Sequence, residues 1–364
     1  MPSDSKWISI LKSLCSVPTA PFAEQAVVRF VERFVAERPK LQLSRDRWGN
    51  LLISLCSNSE LPRCVFTAHM DHPGFVAGKM LDARTLQADF RGGVEASYFK
   101  GSKVRFFDGD RAIPAIVTQV DLDRDKRPCG AKLRVVQPVK TDVPGMWDQG
   151  EGRVVGRKFL SRVCDDLAGA AAALAMIDEL SRKSPKAPVA VLLTRAEEEG
   201  FIGAIAASIK PQLLKKSDRI IAIETSAAQP YAPQGKGAII RVGDRTSVFN
   251  SGLTYFISQA AIALAKKDRS FAYQRALMPG GTCEATVYDA YGFTAASICI
   301  ALGNYHNMDK VKKKIAPEHI DLNDWRNMVK LFVAVARTGH EYAPGHAQLK
   351  QRIEKRFDKW RHLL

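Results

Sequence analysis

Four short apolar runs, separated by segments with helical periodicity, constrain the fold of this chain more than any other feature. Each run has the length of a buried strand; in chain order they are Cys64–Ala68, Val189–Thr194, Ile220–Ile223 and Thr294–Leu302. Helical spacing of apolar residues lies between them, for example from Leu167 to Leu180 and from Leu253 to Lys266. Strands that alternate with helices form parallel sheets covered on both faces. The sequence therefore predicts an α/β fold with a mostly parallel central sheet and helices on both faces.

The segment from Gly74 to Gly156 has a different pattern. It consists of short alternating stretches punctuated by glycine, proline and aspartate, such as Lys103–Phe107, Ala115–Val120 and Lys132–Val136. This pattern is typical of antiparallel β-structure. We predict that residues 74–156 form an inserted all-β domain resembling a small barrel, and that residues 1–73 and 157–345 form one discontinuous main domain.

The C-terminal residues 346–364 predict a basic amphipathic helix. Its apolar residues recur at helical spacing and would share one side of the helix; they are Leu349, Ile353, Phe357, Trp360 and Leu364. Basic amphipathic helices can lie on membrane surfaces. We expect this one to pack on the protein or on another subunit instead.

Charge, hydropathy and cysteine content exclude several functional classes. The 364 residues carry a net charge of +16, but dense basic runs occur only at Lys310–Lys314 and from Lys350 to Arg361, so we expect no nucleic-acid partner. No apolar run approaches the roughly 20 residues of a membrane span, and the first residues lack the pattern of a signal peptide. The seven cysteines are scattered and form no Cys-x-x-Cys pair. These features predict a cytoplasmic protein with reduced thiols and no membrane partner.

Polar residues that can bind metal ions follow the predicted strands. In the order of the four runs they are His69 with Asp71, Glu197 with Glu198 and Glu199, Glu224, and His306. Because ligands bind beyond the carboxyl ends of strands in open α/β sheets, we expect these side chains to converge. Zinc accepts both imidazole and carboxylate ligands, and clustered carboxylates without a cation would repel one another. Each residue alone has an ordinary structural explanation, but the set predicts a metal centre.

Asp165 and Asp166 precede an alanine-rich helical segment. Two aspartates in this position often cap a helix and interact favourably with its dipole. Together with the four polar sites, they are better explained as part of the same metal centre.

The combined segments resemble the dinuclear zinc metallo-aminopeptidases, and most closely the tetrahedral and glutamyl aminopeptidase family. The matching stretches, in the family's order, are Ala68-His69-Met70-Asp71, Cys164–Gly169, Glu197–Ala204, Ile223-Glu224, Gly280-Gly281-Thr282 and Asn304-Tyr305-His306. The resemblance covers the chain from Trp7 to about Arg337. In related carboxypeptidases and deacylases the extra domain follows the glutamate segment, whereas here the insertion lies between His69 and Asp165. Its position is similar to that in the aminopeptidases.

This resemblance implies a metal-dependent aminopeptidase that acts on peptides with a free N-terminus. It implies two divalent metal ions, zinc by preference with cobalt and manganese as alternatives, and a homo-oligomer. Asp165 would bridge the two ions. His69 and Glu224 would complete the coordination of one ion, and Glu198 and His306 that of the other.

Three further roles follow from the resemblance. Glu197 would be the catalytic base, Asp71 would orient His69 through its second ring nitrogen, and Asp166 would lie behind the bridging residue across a peptide bond that is often cis in relatives. In the alternative register of the three glutamates, Glu198 would be the base and Glu199 the metal ligand.

The chain departs from the family pattern at several positions. Glu224 stands where relatives usually have aspartate, and Cys283 stands where an aspartate is common. His72 and Pro73 replace an acidic-apolar pair, so His72 is either an additional site residue or a solvent-facing side chain. A deacylase or dipeptidase with the same centre, and a non-catalytic nucleic-acid-binding relative, are the alternative functions.

Overall fold

The computed structural model describes residues 2–55, 61–184, 186–342 and 347–364. Cys56, one of the seven cysteines, and His346, the first residue of the predicted C-terminal helix, lie outside the described residues. The helices are α1 Pro2–Leu14, α2 Gln25–Ala36, α3 Leu167–Lys183, α4 Ile202–Ile209, α5 Ser251–Lys267, α6 Glu284–Ala290, α7 Leu322–Thr338 and α8 Ala347–Trp360. The strands are β1 Leu41–Arg45, β2 Leu51–Leu55, β3 Cys64–His69, β4 Gly74–Met80, β5 Thr85–Arg91, β6 Lys103–Asp108, β7 Arg111–Leu122, β8 Pro128–Val135, β9 Pro144–Trp147, β10 Arg153–Val155, β11 Lys158–Ser161, β12 Val189–Thr194, β13 Arg219–Ala227, β14 Ala238–Gly243, β15 Tyr273–Leu277, β16 Thr294–Gly303, β17 Met308–Asp309, β18 Lys314–Ile315 and β19 Glu318–Asp321.

The central sheet has the order β1-β2-β12-β3-β13-β16-β19-β11-β10, and β14 and β15 join it beside β16. Its four middle strands β12, β3, β13 and β16 run parallel to one another. The predicted α/β class is confirmed. At both edges the pairing is antiparallel, because β1–β2 and β10–β11 are joined by connections too short for a parallel crossover.

Helices cover both faces of this sheet, and alternate residues of the middle strands point to opposite layers. In β3, Phe66 packs with α1, α3 and α7, with its ring 4.9 Å from that of Phe332, whereas Val65 packs with α4 and α6. Such two-sided burial explains why these strands read as continuous apolar runs rather than as an alternating pattern.

The helices begin where the sequence supplies caps. The side chain of Asp321 accepts hydrogen bonds from the backbone N–H groups of Asn323 and Asp324 at the start of α7. Asn250 caps α5 in the same way through Leu253. Each cap satisfies backbone donors that have no partner within the helix.

Strands β4 to β9 form a closed antiparallel barrel in the order β4-β5-β8-β7-β6-β9. Aromatic residues fill its interior: the ring centroids of Phe90 and Phe99 are 4.7 Å apart, and those of Phe75 and Trp147 are 4.9 Å apart. Edge-to-face contacts of this kind bury a large apolar area in a small volume. The inserted barrel-like fold is confirmed.

Helix α8 contacts solvent along its described length. The side chains of Ile353, Phe357 and Trp360 are about half exposed, and every residue from Lys350 to Leu364 is exposed. Within the described part of the chain this helix does not pack on the rest of the protein, which was one of its two predicted partners. Basic side chains flank the apolar stripe, and their desolvation would offset the gain from burying it. Packing on another subunit stays a prediction.

Helices with the length and apolar character needed to cross a membrane are absent from the residues that the structure describes.

Candidate metal centre and active site

The polar residues predicted from the sequence meet at the carboxyl ends of the parallel strands. His69 is the last residue of β3, the turn Glu197–Glu199 follows β12, and His306 lies three residues beyond β16. Glu224 differs from the expectation, because it lies inside β13 rather than after it. All nine residues of β13 pair in register with β16, and this pairing carries the strand through to Ala227.

The carboxylate of Asp165 lies between the two histidines. Its Oδ1 atom is 3.5 Å from Nε2 of His69, and its Oδ2 atom is 3.7 Å from Nε2 of His306. Glu198 completes one side of this arrangement, with Oε1 3.3 Å from Nε2 of His306. Glu224 lies on the other side, within 4.8 Å of the ligand atoms of His69 and Asp165. Two groups of potential ligands therefore share one carboxylate.

Hydrogen bonds to backbone carbonyl groups orient both imidazole rings. Nδ1 of His69 lies 3.1 Å from the carbonyl oxygen of Asp71, and Nδ1 of His306 lies 2.5 Å from that of Gly93. Because a carbonyl oxygen only accepts, each Nδ1 carries a proton, which leaves Nε2 as the ring nitrogen that can bind a metal ion. Nε2 of His306 is buried without a hydrogen-bond partner among the described residues. This is the state in which histidine binds a metal ion.

The electrostatics of the cluster favour the binding of a cation. Burial, with Asp165 nearby, raises the pKa of Glu224 to about 8, and burial raises the pKa of Glu197 well above its usual range. Burial disfavours the charged form of His306, but Glu198 and Asp165 raise its pKa to about 9. Buried carboxylates at this density repel one another unless protons or cations neutralise them. The imidazole and carboxylate donors fit a divalent cation such as zinc.

Glu197 points into the same cluster from the turn after β12. Its Oε2 atom is 4.0 Å from Nε2 of His69, and its side chain is 11% exposed. It therefore adjoins both the candidate ligands and solvent.

Asp71 holds the turn after β12 in place. It is fully buried, and its two carboxylate oxygens accept the backbone N–H groups of Glu197 and Glu198 at 3.0 and 3.1 Å. The same carboxylate lies 3.5 Å from Nδ1 of His69, farther than the Asp71 carbonyl oxygen. Asp71 thus fixes one histidine and two glutamates relative to one another. Asp166, behind Asp165, is fully buried, and the peptide bond between them is cis.

The sequence did not predict a role for Glu318, and it left two alternatives for His72, of which the structure excludes one. The buried carboxylate of Glu318 accepts the N–H groups of Cys164, Asp165 and His306 at 2.7, 3.0 and 2.9 Å. The solvent-facing reading of His72 is wrong, because this residue is fully buried and bonded to the carbonyl oxygen of Asp165 at 2.7 Å. A glutamate at the start of the short strand β19 was the available signal for Glu318.

Unusual backbone conformations cluster at the site. Ala196, Asn304 and His306 have positive φ angles of 50°, 56° and 54°. Residues without a glycine's freedom adopt this region at a cost, and such residues concentrate at functional sites. At Gly203 a side chain is excluded, since a Cβ atom would lie 2.4 Å from the backbone nitrogen of Arg195.

A cavity of about 290 Å³ adjoins Glu224. Arg241 on β14 lines it and is 3% exposed, and its Nε atom has no hydrogen-bond partner among the described residues. Met308 and Lys310 line the cavity on the side of the loop after His306.

A family model decides what kind of protein carries this site. The model of the M42 glutamyl aminopeptidases matches residues 139–330, which is more than half of the chain. The chain belongs to the M42 glutamyl aminopeptidase family. This M42 protein is accordingly a metal-dependent aminopeptidase, a hydrolase of peptide bonds, as the sequence predicted.

Solved structures with the same fold cover nearly the whole M42 chain. A TET aminopeptidase from a marine sediment Thaumarchaeota archaeon has a TM-score of 0.74 at 19% identity, covering 92% of this chain and 96% of that one. An aminopeptidase from Desulfurococcus kamchatkensis has a TM-score of 0.75 at 21% identity, with coverages of 93% and 97%. The TET1 peptidase of Pyrococcus horikoshii has a TM-score of 0.72 at 20% identity, with coverages of 91% and 99%. At these identities the likeness shows the fold. No curated protein matches this M42 aminopeptidase significantly by sequence.

Proposed function

We propose that this M42 aminopeptidase removes N-terminal residues from peptides with the help of two divalent metal ions, zinc by preference and cobalt or manganese as alternatives. His69, Asp165 and Glu224 would hold one ion, and Asp165, Glu198 and His306 the other. The observation that carries the proposal is the placement of Asp165, whose two oxygens face the Nε2 atoms of two different histidines at 3.5 and 3.7 Å. When bound, the ions polarise the scissile carbonyl group and lower the pKa of the attacking water.

Glu197 is the general base in this proposal. Its carboxylate takes a proton from the attacking water and returns it to the departing amine. Two features support the role: the side chain lies beside the ligand cluster at 11% exposure, and Asp71 fixes its backbone N–H at 3.0 Å. In the alternative register, Glu198 would be the base, but its Oε1 atom already faces His306 at 3.3 Å. Glu199 accepts the N–H of Gly92 at 2.7 Å and points to the barrel.

The cavity beside Glu224 would receive the side chain of the first residue. Its buried Arg241 has an unpartnered Nε, and burying a donor without a partner costs free energy. A substrate carboxylate would supply that partner. We therefore propose that the enzyme prefers an acidic first residue, in keeping with the glutamyl description of the family. The expected kcat/KM ranking for aminoacyl anilides is glutamate above leucine and lysine.

A panel of aminoacyl anilides with free and N-acetylated amines, assayed with and without a chelator, tests the function. Chelator-sensitive release from the free-amine set is the expected result. Release from the acetylated set alone would assign a deacylase instead. Salt-sensitive binding to nucleic acid without any release would favour the non-catalytic alternative.

Glu197→Gln tests the base separately from the metal centre. Turnover is expected to fall by about 10² to 10⁴ while the number of bound metal ions stays unchanged. Retained turnover would contradict the role of Glu197. Glu151→Gln, which changes an exposed glutamate, is the matched control.

We also propose that this protein is cytoplasmic and forms a homo-oligomer. The Pyrococcus horikoshii TET1 peptidase can assemble into a tetrahedron or a large octahedral shell, which supports an assembly of this chain. The described cysteines are free thiols, as in reducing compartments. Sedimentation should give a mass that is a multiple of the 40.2 kDa chain, and a mass of 40.2 kDa would contradict the assembly.

A further inference from the structure

A second cavity lies on the other side of Met308 from the cavity beside Glu224. Its volume is about 440 Å³, and its walls come from the barrel: the segment Gly92–Ala96 after β5, the turn residues Lys126 and Arg127 between β7 and β8, and Pro128 at the start of β8. Met308 lines both cavities. The inserted barrel therefore contributes a wall to the surroundings of the metal centre.

This wall is bonded directly to the residues of the centre. The carbonyl oxygen of Gly93 accepts the Nδ1 proton of His306 at 2.5 Å. The N–H of Gly92 donates to Oε1 of Glu199 at 2.7 Å. One cavity is therefore lined by Glu224 itself, and the other is linked to His306 through the hydrogen bond of Gly93.

Burial distinguishes the roles of the two cavities. The inner end of the cavity beside Glu224 is formed by the buried residues Arg241, Thr225 and Met278, whereas exposed residues such as Lys310 lie at its rim, so it suits a single side chain. The cavity on the barrel side has the buried side chains of Val94 and Met308 in its lining and the exposed residues Gly93, Lys126 and Arg127 at its rim, so a longer chain can leave it for solvent. An aminopeptidase needs both: a closed pocket for the first residue and an open path for the rest of the peptide.

Two cations and one carboxylate line the barrel-side cavity. Lys126 and Arg127 are exposed, and neither forms an ion pair with another described residue. Glu95 is the single acidic residue of the wall. The carboxylate of Asp123 is held by the backbone N–H groups of Asp125 and Arg127, at 2.9 and 2.8 Å, which shapes the turn that presents both cations.

We propose that this barrel-side cavity binds the part of the peptide downstream of the cleaved bond, and that Lys126 and Arg127 favour a carboxylate there. The carboxylate can be the side chain of an acidic second residue or the C-terminus of a dipeptide. This assignment rests on the proposed aminopeptidase function, and it makes Lys126 and Arg127 determinants of specificity rather than of chemistry.

Matched dipeptides separate the two sources of the carboxylate. Glu-Glu-amide against Glu-Gln-amide tests an acidic second side chain, and Glu-Gln with a free C-terminus against Glu-Gln-amide tests the terminal carboxylate. The wild-type enzyme should show a lower KM for the carboxylate-bearing member of at least one pair. This preference should weaken as salt is raised, since the cations are exposed.

The double variant Lys126→Gln/Arg127→Gln should reduce that preference by roughly five- to tenfold, through KM rather than kcat. Lys79→Gln/Lys100→Gln removes the same charge from the barrel surface outside the cavity and should keep the wild-type preference. The reversal Lys126→Glu/Arg127→Glu should shift the preference towards Glu-Lys-amide, a gain that a merely misfolded variant cannot produce.

These experiments distinguish a failure of the cavity assignment from a failure of the aminopeptidase function. Release of the first residue with the same preference in wild type and double variant, or no preference in the wild type, would refute the assignment of the cavity alone. No release from any free-amine peptide would refute the aminopeptidase function itself and the cavity assignment with it.

Discussion

The buried carboxylate of Glu318 accepts the backbone N–H of Asp165 at 3.0 Å. Its other oxygen accepts the N–H of His306 at 2.9 Å. One carboxylate therefore fixes the distance between the loop before α3 and the loop after β16, which carry two of the proposed metal ligands.

Glu318→Gln should weaken metal binding by about 10- to 100-fold, the range typical of groups that orient metal ligands. The amide nitrogen of glutamine cannot accept a hydrogen bond, so at least one of the bonded N–H groups loses its partner. Competition with a chromogenic chelator measures the affinity without reference to turnover. Glu37→Gln, which alters an exposed glutamate, should bind metal like the wild type, and equal affinity of both variants would contradict the positioning role.

Removing the metal should lower the free energy of unfolding, and Glu197→Gln should partly reverse this loss. Burial and the neighbouring carboxylates raise the pKa of Glu197, so a neutral amide at this position relieves repulsion in the metal-free protein by about 1–2 kcal/mol. Urea unfolding after dialysis against a chelator gives the free energy of unfolding of each protein. A metal-free variant less stable than the metal-free wild type would contradict the electrostatic explanation.

The ion pair between Asp268 and Lys330 should make a pH-dependent contribution to stability. It joins the end of α5 to α7 at 2.6 Å, and the hydrogen bond from Lys330 lowers the pKa of Asp268 from 3.8 to about 2. Because the folded-state pKa lies below the unfolded value, the stabilisation is present above pH 3.8 and is lost as the pH falls towards 2.

Asp268→Asn should therefore cost about 0.5–1 kcal/mol at pH 7, a figure reduced for the exposure of the pair. Denaturant titrations at several pH values should show the difference from wild type shrinking below pH 4. Asp289→Asn changes an exposed aspartate and serves as the control. A cost that stays constant with pH would show that the pair does not act through this charge.

Trp325 should be the most informative core position near the site. It is fully buried in α7, and its Nε1 donates to the carbonyl oxygen of Ala168 in α3 at 2.8 Å. Trp325→Phe removes this bond and leaves a void, so unfolding free energy should fall by about 2–4 kcal/mol. The same change at Trp48, which is half exposed, should cost less than about 0.5 kcal/mol. Calorimetry on both variants makes the comparison.

The order of strands and helices could be read from the chain because burial on two faces leaves continuous apolar runs, as in Val189–Thr194, and helices leave a different period. Polar residues placed after those runs had to meet at one edge of the sheet, so their convergence was also predictable. The resemblance of the motifs named the family correctly.

Other features depend on contacts between residues far apart in sequence, and no local pattern records them. The partners of Glu318 are 12 to 154 positions away, and the ring of His72 reaches Asn307 across 235 positions. Exposure of α8 depends on the surface that the rest of the chain offers, not on its own periodicity. The closeness of Gly93 to His306 follows from how the barrel docks on the sheet. Periodicity and motif spacing report local conformation and burial, whereas distances between side chains are set by the packing of whole elements.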